Sequence, residues 1–267
     1  MGSHTIWFYL LIAALLAGVL QSISVGGLFF LKQSGEKRAN GFYGLLLIAM
    51  GLTLLHNILL ISNVYVSYPR LQFLPIYFTL SFPPLLFYYV KLTLYPAYRL
   101  QRSDIKHFIF PLGQLLFFIA IFFNLVEYKG TPGRYFYSPF YGAFEHFLYI
   151  TTFFAYLYFA YRYIRHKARE GRRSEVARQV FYLKTLVKAL FFLFCIHTGF
   201  LVSDFVSYEF LDINLRAVKL FAGAGAMSFA ALVFWCGVYG FQVLLWGRRV
   251  FRRPGADPGG TRGKKRQ

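Results

Sequence analysis

Apolar residues run along this chain in long blocks separated by short polar turns. The blocks lie at about 5–31, 41–62, 74–95, 107–126, 142–163, 183–206 and 217–246. A helix needs about 20 apolar residues to cross a bilayer, so each block is predicted as a membrane-spanning helix. Gly35, Asn40, Pro69, Pro96, Gly130, Pro132, Gly133 and Gly171 mark the turns. The expected fold is all-α: a polytopic seven-helix bundle over residues 1–247, followed by a basic disordered tail over 248–267. The third block interrupts its own pattern. It reads SFPPLLFYYVKLTLYP, with Pro83 and Pro84 inside it. In mid-helix these two would remove the donors for the carbonyls of Thr79 and Leu80. Lipid supplies no replacement, so the doublet is predicted as a hinge whose freed carbonyls face protein or a wet cleft. A plain packing kink is the equal alternative.

Charge sets the orientation. Of the 29 Lys and Arg residues, 24 fall on one side of the expected bundle and 5 on the other. The positive-inside rule then puts the amino terminus outside and the carboxyl terminus in the cytoplasm, with the chain a multi-pass protein of a bacterial inner membrane. The composition agrees: 57% hydrophobic, 21% aromatic, with 33 Phe and 21 Tyr. The net charge of +19 lies in loops between apolar runs, so nucleic acid is not the expected partner. The lipid bilayer is, with anionic headgroups against the basic tail, where each basic residue adds ~1 kcal/mol. Cys195 and Cys236 both lie in apolar runs and imply no disulfide.

Polar residues inside the blocks supply the candidate site. The second block carries His56 and Asn57, the third Thr79 and Ser81, and the fourth Gln114 and Asn124. The fifth begins with Glu145 and His146, and the sixth holds His197 and Asp204. Ionisable residues in a membrane are costly and face the bundle interior. These lie at mid-depth or in the outer half, which predicts an outer ligand pocket formed by His56, Asn57, Thr79, Ser81, Glu145, His146, His197 and Asp204. The inner half offers mainly rim lysines, Lys91, Lys184 and Lys188. Hydrogen-bonded pairs are expected between His56 and Asp204 or between His197 and Glu145. A metal is not expected, because no two of these groups share the one-turn spacing of paired ligands. The sequence names no cofactor. The outer loop GTPGRYFYSPFYG is read as a cap over the pocket or an interfacial aromatic belt. Loop RYIRHKAREGRRSEVARQ is expected to extend the fifth and sixth helices into the cytoplasm. It would present Arg165, Lys167, Arg169, Arg172 and Arg173 to a partner protein.

Pro84, Leu86, Phe87, Tyr88, Tyr89 and Pro96, followed by His107, Phe108 and Pro111, resemble the third and fourth spans of a known group. That group is the seven-helix sensor half of membrane-bound AraC-type regulators of Bacteroidota-like bacteria. The RQVFYLKTLVKALFF entry to the sixth block is similar too. The resemblance implies a sensor module. Those regulators carry a helix-turn-helix domain after the seventh span, where this sequence has about twenty polar residues, so the resemblance does not extend to direct transcriptional control.

Three functional readings are open from the sequence. The leading one is a stand-alone receptor-like sensor that binds a small or lipidic ligand in the outer half and signals through the basic fifth loop. The second is a structural or accessory subunit of a membrane complex. The third is an intramembrane lipid-modifying enzyme, metal-dependent or acid–base, using His56, His197, Asp204 and Glu145.

Overall fold

The computed structural model describes residues 2–32, 36–125, 140, 142–170, 174–215 and 218–250. The tail beyond 250, most of the loop expected to cap the pocket, and Arg172 and Arg173 lie outside the described residues. Within them the fold is helical with no strand. The helices are α1 (Gly2–Leu31), α2 (Lys37–Ile61), the single turn α3 (Val64–Ser67), α4 (Phe82–Leu94), α5 (Ile109–Phe122), α6 (Ala143–Glu170), α7 (Ser174–Leu211) and α8 (Lys219–Val250). Short 3₁₀ turns at Pro69–Phe73, Thr79–Ser81 and Arg102–Phe108 join them. Among the described residues five stretches are long and apolar enough to cross a membrane: Ile6–Leu31, Lys37–Ile61, Arg102–Phe122, Val176–Leu211 and Leu220–Leu245. This is the build of a multi-pass membrane protein. Two of the expected blocks are not among the five: the fifth, which forms the long helix α6 but is not apolar enough, and the third, because it is not one helix. At 13 residues, α4 is about 20 Å long, short of the roughly 30 Å of a hydrocarbon core.

The bundle closes as a ring in the order α1, α2, α4, α6, α7, α8, with α8 returning to both α1 and α2. Leu11 lies by Gly223, Gly18 by Phe234 and Gln21 by Gly237, so α1 and α8 run parallel. Neighbouring α2 runs the other way. α5 packs mainly on the 3₁₀ turns. The core is aromatic where three helices meet: the Tyr43 ring lies 4.3 Å from Tyr89 and 5.8 Å from Tyr239. The Tyr43 hydroxyl donates to the Cys236 carbonyl at 2.8 Å. Across α6 and α7, Phe153 stacks on Phe194 at 4.1 Å. In α4 every residue except Lys91 and Thr93 is buried, as its nearly continuous apolar sequence requires.

α1 and α2 cross with their backbones close together. A Cβ on Gly44 would stand 2.8 Å from the Gly26 carbonyl oxygen, and one on Gly26 would stand 2.9 Å from that of Gly44. Only glycine allows these backbones to approach so far. Gly44→Leu is expected to destabilise the detergent-solubilised protein by about 1–3 kcal/mol, read as a lower melting temperature. Gly27→Leu, whose Cβ would meet nothing within 4 Å, serves as the neutral control.

Asn40, expected in a turn, is instead a buried residue in the first turn of α2. The chain reversals fall on Asn63, Asn124 and Asp212, whose φ angles are 57°, 53° and 54°. Asn and Asp tolerate this left-handed conformation, which ends α2, α5 and α7. Asn124 is thus an exposed helix stop and no part of a pocket.

Candidate functional site

The proline doublet starts a helix where the sequence suggested a kink in one. Residues 74–78 are not helical, Thr79–Ser81 make a 3₁₀ turn, and Pro83 and Pro84 follow in the first turn of α4. There the missing N–H groups would have had no helical partner in any case. The carbonyl of Thr79 keeps a donor, the N–H of Phe82. Three prolines within ten residues, Pro75, Pro83 and Pro84, account for an unwound stretch better than for a kink.

An unwound stretch inside an apolar bundle must satisfy its backbone with side chains, and the candidate residues do this. The Phe78 N–H donates to Thr53 Oγ1 at 3.0 Å, and the Leu80 N–H to Gln114 Oε1 at 3.2 Å. The Ser81 hydroxyl donates to the Phe78 carbonyl at 2.6 Å. Glu145, fully buried, gathers the rest. It accepts from the Thr79 hydroxyl at Oε1 and from the Tyr77 hydroxyl at Oε2, the latter at 3.1 Å. The Gln114 amide donates to Thr79 Oγ1 at 3.1 Å, and His146 Nδ1 lies 3.4 Å from Glu145 Oε2. No Lys or Arg pairs with this carboxylate among the described residues; the ring of His146 is the neighbouring base. His56 joins from α2, its ring 4.9 Å from that of Tyr77 and its Nδ1 2.8 Å from the Tyr65 hydroxyl. The structure therefore assembles His56, Thr79, Ser81, Glu145 and His146 in one knot. Tyr77, Gln114, Thr53 and Tyr65 belong with them.

His197 lies deeper. Its Nδ1 is 2.9 Å from the Ser228 hydroxyl, and its ring packs 5.4 Å from Phe229 and 6.3 Å from Tyr149. Tyr149 stands one turn beyond Glu145 on α6, and its buried hydroxyl has no hydrogen-bond partner among the described residues. Each expected histidine–carboxylate pair is replaced by a histidine–hydroxyl pair. Asp204 is buried two turns further along α7, and Asn57 is half-buried on α2. Among the described residues no three His, Cys, Asp or Glu side chains come close enough to hold a metal ion.

A second polar centre, unforeseen in the sequence, occupies the opposite end of α4. Lys91 does not snorkel outward. Its ammonium sits 3.6 Å from the centre of the Tyr98 ring and 5.6–6.0 Å from those of Tyr88, Phe87 and Tyr163. Asp104 Oδ1 lies 4.0 Å away, the two side chains being 11% and 12% exposed. Asp104 also accepts the Tyr98 hydroxyl at 2.8 Å and the Gln101 N–H at 2.8 Å. Burial, then the bond to Asp104, raises the Tyr98 phenol above its ordinary value. From the start of α2, Arg38 donates to the carbonyls of Pro96 and Tyr98 at 2.7 and 2.8 Å. His107 Nδ1 meets the Tyr156 hydroxyl at 2.5 Å. Of the residues that carry the sequence resemblance, Phe87, Tyr88, Pro96, His107 and Phe108 lie at this clasp, whereas Pro84 lies in the first turn of α4 beside the Glu145 knot. By contrast, Lys184 and Lys188 are exposed.

α6 continues through Glu170 and α7 starts at Ser174, so the basic fifth loop is mostly helix. Arg165 and Arg169 are exposed there. Lys167 pairs with Glu170 at 3.1 Å and lies over the Tyr95 ring at 4.8 Å. No family model, curated protein or solved structure matches the chain.

Proposed function

We propose that the chain is a receptor-like sensor of a bacterial inner membrane, crossing it seven times with the amino terminus outside. The Glu145 knot is its input and the basic end its output. One observation carries this reading: α4, buried on almost every side, begins at the knot and ends at the Lys91–Asp104 clasp. A displacement of α4 would reach both ends, because its packed neighbours leave it no room to bend. A small or lipidic ligand that competes for the donors on Glu145 would favour a second arrangement of residues 74–81. It acts only by the difference in its affinity for the two arrangements. Inverting a 1:99 population requires about 5.5 kcal/mol, within reach of a few buried hydrogen bonds at ~1–3 kcal/mol each. The basic α6–α7 hairpin, with Arg165 and Arg169 outward, would then report to a separate protein partner.

The test loosens the knot without a ligand. Spin labels at Ser103→Cys and Arg169→Cys, in a Cys195→Ser background, report on the basic end from exposed sites. Adding Thr79→Val or Glu145→Gln is expected to shift or broaden the distance distribution. Distributions unchanged by both substitutions would sink the coupling, and with it the sensor reading. Stable copurification of the parent with one membrane complex, independent of the knot, would favour the accessory-subunit reading.

A further inference from the structure

We propose that the groove where α1 hands over to α2 is a binding site for the phosphate headgroup of an anionic phospholipid. This goes beyond the sensor reading and does not rest on it. The groove measures about 330 Å³ and is lined by Phe29, Phe30, Leu31, Lys32, Lys37 and Gly41. Its charge has one sign. The Lys32 ammonium uses one donor on the Val243 carbonyl at 3.1 Å and lies 5.5 Å from the Phe29 ring. No carboxylate pairs with it among the described residues. Burial draws its pKa down, the mark of an ammonium short of both water and a counter-ion. Lys37 opens α2 and is exposed. The nearby acid, Glu36, is taken by Arg38 at 2.8 Å and places no side-chain cap on the helix. The first turn of α2 therefore adds its own positive end to the two lysines.

What fills a one-sign groove must be an anion, and the surroundings identify which kind. Phe30 is 55% exposed and heads a stripe of exposed apolar residues at helical spacing on α1, continuing through Ile23, Leu20 and Leu16. On α2, Leu45 stands one turn beyond Gly41 and is exposed too. A phosphate at Lys32 and Lys37 thus has apolar surface leading away from it along the outer faces of α1 and α2, which suits a molecule with acyl chains. Gly41 supplies the room, since a Cβ there would meet nothing within 4 Å.

Lipid retention is measured on full-length protein purified in mild detergent, by native mass spectrometry with phosphatidylglycerol and, separately, phosphatidylcholine. The parent is expected to retain phosphatidylglycerol in preference. Lys32→Gln with Lys37→Gln is expected to bind it at least tenfold more weakly, at ~1 kcal/mol per basic residue. Gly41→Leu changes no charge and enters open space, so it keeps the fold. It should obstruct the groove and lower retention as well. A control pair at the same end, Arg102→Gln with Lys106→Gln, should leave retention within twofold of the parent. Retention unchanged in the lysine pair and in Gly41→Leu would overturn the site. An equal loss in the control pair would reduce it to general charge attraction and overturn it too. Displacement of the lipid by glycerol phosphate at similar concentration would assign the groove to a free phosphate compound instead of a lipid.

Discussion

Glu145→Ala is expected to be the most damaging single change in the knot, lowering stability by about 3 kcal/mol or more. The substitution strips the acceptor from two buried hydroxyls, those of Thr79 and Tyr77, at ~1–3 kcal/mol for each donor left unpaired. It also leaves Gln114 bonded to a Thr79 side chain that has lost its anchor, so the support of the Leu80 N–H weakens in turn. Glu145→Gln keeps an acceptor oxygen and most of the volume, and should cost less than half as much. Unfolding by a denaturing detergent, followed by circular dichroism, reads both variants on one scale. The explanation fails if Ala and Gln are equally mild, because the knot would then be a passive filling.

Asp104→Ala is expected to cost about 3–5 kcal/mol by the same assay. Lys91 would remain a cation among four aromatic rings with its carboxylate gone, and a largely buried charge left alone is far more costly than a missing pair. Tyr98 and the Gln101 N–H would lose their acceptor as well. Lys91→Met fills the cage without a charge, so the double variant Lys91→Met/Asp104→Asn should be more stable than Asp104→Ala. A double-mutant cycle should show coupling of about 1–3 kcal/mol. Simple additivity would mean the ion pair is incidental and the aromatic packing alone holds the loop.

The long helices were legible because hydropathy depends on composition alone, and α1, α2, α7 and α8 each keep one long apolar block. The break at residues 74–81 was not, since an unwound stretch and a helix can be equally apolar. Only the density of prolines pointed to it, and a single doublet suggests a kink where three prolines in ten residues end a helix. Glu145, Thr79 and His56 were found as costly residues in lipid. Tyr77 and Thr53 were missed, because a tyrosine or threonine is unremarked in such a chain until the backbone it serves is known. Depth along a helix also does not reveal its facing side, so His56 and His197 were matched to carboxylates while the structure gives them hydroxyls. The Lys91–Asp104 clasp escaped for a different reason. Its two charges stand on either side of a turn, and a lysine near a helix end ordinarily reaches for water.

The parallel course of α1 and α8 has a practical consequence. Residues 2 and 250 lie at opposite ends of the bundle, so probes attached at these two positions of one molecule would be held a bundle's height apart. A circular permutant would need a connecting segment that itself traverses the full height of the bundle.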